Sequence, residues 1–97
     1  MERVIEIIKE WGFKSGTKAH YYKFVTPDSL VSIDFTEDEF TITFKALCGA
    51  ANEELTRMKE SLKLSKMDAN KDTIRGIIKW YILKLTTDVH RKYIFNE

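Results

Sequence analysis

Two short stretches, Val31-Ser32-Ile33-Asp34-Phe35 and Phe40-Thr41-Ile42-Thr43-Phe44, alternate apolar with polar side chains across a brief acidic link, Glu37-Asp38-Glu39. Successive side chains of a strand point to opposite faces, so this pattern describes a hairpin with one greasy and one polar face. The greasy face must be covered. Helices on that face alone, with the other left wet, make a two-layer α+β domain.

The segments around the hairpin fill in the plan. From Lys18, the residues His20, Tyr22 and Phe24 alternate with Ala19, Tyr21, Lys23 and Val25 until Thr26-Pro27-Asp28-Ser29 breaks the run. This is a further strand, and the short links require an antiparallel meander, because a parallel pairing needs a crossover of about a dozen residues. The favoured register sets Tyr21 and Lys23 on the wet face beside Ser32, Asp34, Thr36, Thr41, Thr43 and Lys45.

Three segments have helical spacing. Val4, Ile5, Ile7, Ile8 and Trp11 share one side of a 3.6-residue wheel, with Gly12 at the capping position and Lys14-Ser15-Gly16-Thr17 as the turn. Leu55, Met58 and Leu62 share a face from about Ala51 to Leu64, with Glu53 and Glu54 near its start and Lys59, Lys63 and Lys66 near its end, as a helix dipole favours. Ile74, Ile77, Ile78, Tyr81, Ile82, Leu85 and Val89 trace the longest stripe, reaching towards Arg91. Gly76 inside it calls for a close neighbour or a weak helix start. The expected order is α-β-β-β-α-α, a three-stranded antiparallel meander with helices on one face and a single domain over 1–97. Phe24, Ile33, Phe35, Phe40, Ile42, Leu55, Met58, Ile74 and Ile78 are among the expected core residues.

Composition excludes several function classes. With 97 residues, 43% hydrophobic and 32% charged, the chain suits one core without a staple. Sixteen Lys and Arg against 15 Asp and Glu leave +1, so no bulk field recruits nucleic acid or an anionic membrane. Cys48 is the only cysteine, which forbids an intramolecular disulfide and a cysteine-based zinc site within one chain. The charged amino terminus lacks a signal-peptide core, and no apolar run spans a membrane, so the expected location is the cytoplasm.

Catalytic chemistry lacks parts. His20 and His90 stand in no metal or hydrolase motif, no glycine-rich phosphate loop occurs, and Cys48 reads as a small buried hydrophobe at a strand end. Neither cofactor nor metal is expected. Asp28, Asp34, Glu37, Asp38 and Glu39 form an acidic stretch that reads as a solubilised hairpin tip.

The surface candidate is the outer side of the last helix. Steps of about 100° from Ile74 place Trp80 and Leu83 at least about 100° from the centre of the apolar stripe. Lys79, Lys84 and Arg91 flank them, and Tyr93, Ile94 and Phe95 add apolar area. Lys71, Arg75 and Lys79 recur on one edge of the same helix, where they could meet phosphates.

In element order alone, helix, three strands and helix resembles the double-stranded-RNA-binding domain. The stretch that would bind phosphates, Cys48-Gly49-Ala50-Ala51-Asn52-Glu53-Glu54-Leu55, is acidic where that family is basic, so the resemblance speaks against that function. The full order is also similar to some small phage-encoded inhibitors, including certain anti-CRISPR proteins, and implies a fold without fixing a function. The expected function is a non-enzymatic protein-binding module, an inhibitor or adaptor that meets a larger protein or a second copy through Trp80, Leu83, Lys79, Lys84 and Arg91. The alternative is nucleic-acid binding along the basic edge of the last helix.

Overall fold

The computed structural model describes residues 1–17, 19–49, 53–86 and 94–95. Helix α1 (Glu2–Glu10) leads into β1 (Lys14–Ser15), β2 (His20–Thr26), β3 (Ser29–Phe35), β4 (Glu39–Cys48) and β5 (Glu53–Lys63). A 3-10 turn, Leu64–Met67, and helix α2 (Lys71–Leu85) follow. The strands form one antiparallel sheet in the order β1-β2-β3-β4-β5, a five-stranded meander where three strands were expected.

The hairpin that anchored the sequence reading is β3 and β4. Ile33 lies opposite Ile42, Val31 opposite Phe44 and Phe35 opposite Phe40, so their apolar residues share one face. Val4, Ile7 and Ile8 of α1 and Ile74, Ile78, Ile82 and Leu85 of α2 close over that face in a single core. Asn70 caps α2 by accepting from the Thr73 N–H at 2.8 Å.

The expected helix over 51–64 is instead the edge strand β5. Leu55, Met58 and Leu62 lie opposite Ala46, Phe44 and Phe40, and the register shifts between Thr56 and Met58, leaving Arg57 as an extra residue. A bulge of this kind places Leu55 and Met58 on one face despite their odd spacing. Spacings of three and four residues are the helical signature, so a bulged strand imitates it. With a strand in place of the helix expected over 51–64, the resemblances in element order lapse.

The register of β2 also differs from expectation. Tyr21 pairs with Ile33 and Lys23 with Val31, so both face the helices, while His20, Tyr22 and Phe24 lie on the open face. The same alternation carries Val25 into the core and leaves Phe24 51% exposed, and the register shifts only beyond Phe24, before Thr26. Leu55 and Met58, expected in the core, are also exposed, because β5 extends along the sheet edge. Lys14 and Ser15, expected in a turn, pair with Tyr22 and Tyr21. Gly76 has open space around it, so close packing does not account for it. Among the described residues, no helix is long and apolar enough to cross a membrane.

Candidate functional site

Two surfaces emerge, one on the helical layer and one on the open face of the sheet. On α2, Trp80 is 58% exposed. Its ring meets Tyr81 edge-on with centroids 4.9 Å apart, and the Lys84 ammonium stands 5.3 Å from its centroid. The indole is thus held in place while its free side faces solvent.

Leu83 does not share that exposure. It is half-buried and packs against the core, on the side of α2 where Lys79 sits 5.1 Å from the Phe95 ring. Ile94 and Phe95, expected to add exposed apolar area, are buried instead; Phe95 meets Trp11 edge-on at 4.8 Å. Phe95 thus lies under Lys79, while Trp80 and Lys84 stay exposed. Arg91, Tyr93 and His90 lie outside the described residues.

The basic edge of α2 is largely occupied. Lys71 Nζ lies 2.9 Å from Glu10 and 3.6 Å from Glu6, and Arg75 bridges Glu10 at 3.0 Å and Asp72 at 2.6 Å. The two cations hold the Glu10 carboxyl below the usual carboxylate range through their hydrogen bonds. These groups clamp α2 to α1 and are poorly placed to meet phosphates.

The open face of the sheet is ordered by its registers. One row crosses all five strands: Lys14, Tyr22, Ser32, Thr43 and Lys59. The row on one side holds His20, Asp34, Thr41 and Ser61, and the row on the other holds Phe24, Leu30, Lys45 and Thr56. His20 Nδ1 and Asp34 Oδ1 are 2.5 Å apart, Thr41 and Ser61 share a hydrogen bond of 2.9 Å, and Lys45 reaches Glu54 at 3.2 Å. The charged groups of the flanking rows are thus paired, whereas Lys14, Thr43 and Lys59 have no side-chain hydrogen bond or ion pair among the described residues.

The aromatic residues of β2 form a ladder on this face. His20 stacks on Tyr22 with centroids 6.0 Å apart, and Tyr22 meets Phe24 edge-on at 6.1 Å. Gly16 backs the imidazole so closely that a Cβ there would lie 2.8 Å from His20 Cδ2. A cleft of about 310 Å³ opens beside the ladder, lined by Gly12, Lys14, Tyr22, Lys23 and Phe24. The pairwise registers behind this surface are what the sequence reading lacked.

The His20–Asp34 pair has the geometry of a base and its orienting carboxylate, yet no nucleophile hydrogen-bonds to the ring among the described residues. Cys48 ends β4 opposite Glu53, half-buried. Among the described residues, no group of three His, Cys, Asp or Glu side chains is placed to hold a metal. Compared with protein-family models, with curated proteins and with solved structures, the chain matches none.

Proposed function

We propose that the protein is a non-enzymatic binding module that docks a larger protein through the outer flank of α2. The observation that carries this reading is Trp80, 58% exposed in the middle of a regular helix and oriented by Tyr81 and Lys84. Exposed, fixed aromatic residues with a basic neighbour are the side chains that dominate protein interfaces. From Thr73 to Thr86 the chain carries Arg75, Lys79 and Lys84 and no carboxylate, so the complementary segment is apolar and acidic.

The test is capture of the partner from the native host by wild-type protein and by Trp80→Ala, followed by affinity measurement on the purified pair. Losing a central Trp should weaken binding by at least about 30-fold, corresponding to roughly 2 kcal/mol. Lys84→Glu should weaken it further and flatten its salt dependence, because it replaces an attraction to the acidic partner by a repulsion. Retained affinity in a folded Trp80→Ala protein would move the interface elsewhere.

A further inference from the structure

The open face of the sheet has a second, chemically distinct character. Its central row holds no carboxylate and is bounded by ammonium groups, Lys14 at one end and Lys59 at the other, with Tyr22 and the buried hydroxyls of Ser32 and Thr43 between. Asp34 and Glu54 are already paired with His20 and Lys45. The Ser32 hydroxyl is fully buried and has no partner. A buried hydroxyl without a hydrogen bond is rare and marks a place where the fold alone does not satisfy its own polar groups.

We infer that this face binds single-stranded nucleic acid, with the backbone following the row from Lys14 to Lys59 and bases stacking on Phe24 and Tyr22. Charge complementarity selects the occupant, because a row free of carboxylates and bounded by lysines matches an extended polyanion. The aromatic ladder distinguishes nucleic acid from an acidic peptide. Phe24 is 51% exposed at the β1–β2 edge of the sheet, beside a cleft of about 310 Å³, and stacking on such side chains tolerates any base.

The span fits as well. Four interstrand spacings of about 4.8 Å separate Lys14 from Lys59, roughly 19 Å in all. An extended strand of about four nucleotides crosses that distance, the lower end of site sizes on small β-sheet modules. A duplex cannot place its stacked bases on the ladder.

The experiment is fluorescence anisotropy of a labelled oligothymidylate of about eight nucleotides with the full chain over a salt series. The expected result is binding with a salt slope near −1.4, about 0.7 for each of two lysines. Phe24→Ala and Tyr22→Ala should each weaken binding about tenfold, within the range for losing one stacked base. Lys14→Glu with Lys59→Glu should abolish the salt-sensitive part; both sit on exposed positions, so the fold remains available as a control by circular dichroism. Trp80→Ala should leave oligonucleotide binding unchanged, which separates this inference from the protein-docking reading.

Three results would overturn it: no binding at low salt, equal binding of a duplex or a polyglutamate peptide, or binding unaffected by the lysine pair and by Phe24→Ala.

Discussion

Lys23 offers the sharpest test of how the fold is assembled. It stands opposite Val31 on the face covered by the helices, an unusual place for a lysine. Its ammonium donates to the Trp11 carbonyl just past α1 and to the Ile94 carbonyl at 3.1 Å, joining β2, the end of α1 and the carboxyl-terminal residues at one point. Burial lowers its pKa from the ordinary value of 10.5. Lys23→Met keeps most of the aliphatic stem but removes both donors.

Each charge-assisted bond contributes about 1.5–3 kcal/mol, and the desolvation of the ammonium offsets several kcal/mol of the pair. The net loss should be about 1–3 kcal/mol, since the variant also leaves two carbonyls without this donor. In a domain of about 100 residues that lowers the melting temperature by roughly 4–24 °C. The pH signature is specific. Between the lowered pKa of the folded state and 10.5, the unfolded chain binds more protons, so wild-type stability rises with pH in that window. The variant should lack this rise. Urea unfolding of both proteins, followed by the fluorescence of Trp11 against Phe95, reads the two effects together. A variant as stable as wild type, with the same pH dependence, would show that Lys23 does not hold these carbonyls.

Other outcomes follow from single positions. Gly76→Ala places a methyl in open space within α2 and should raise stability by about 1 kcal/mol in urea unfolding; a decrease would mean that a neighbour approaches the helix there. Ile42→Ala empties a fully buried site opposite Ile33 and should cost about 2–5 kcal/mol in the same assay. Glu10 is held below the usual carboxylate range by Lys71 and Arg75, so its contribution is present above the ordinary value of 4.5 and is lost as pH falls through the lowered one. Glu10→Gln should therefore flatten the acid side of the stability profile, and an unchanged profile would show that the clamp between α1 and α2 contributes nothing.

The β3–β4 hairpin was legible because its side chains alternate without interruption, and Ile33 and Ile42 do share a face. β5 was not, because one extra residue at Arg57 gives its apolar positions the spacing of a helix. The orientation of β2 was not legible because tyrosines stand on both of its faces and the apolar Phe24 and Val25 fall one on each, so its alternation fits either register. β1 has only two residues and exists through its pairing with β2. Trp80 could be placed outside the core by helical steps alone. Leu83, farther round the helix from the apolar stripe than Trp80, is half-buried against the core all the same, and its packing depends on tertiary neighbours about which local periodicity carries no information.

The two surfaces differ in the layer that builds them. Trp80 belongs to the helices on the covered face of the sheet, whereas the Lys14-to-Lys59 row lies on the opposite face, so the sheet and its core stand between them. Layers pack about 10 Å apart, beyond the range at which substitutions usually couple. Trp80→Ala combined with Phe24→Ala should therefore change stability by the sum of the single effects, within about 0.5 kcal/mol. The two binding losses should remain separate in the double variant as well. A marked departure from additivity would mean that the core transmits between the faces, making one site sensitive to occupancy of the other.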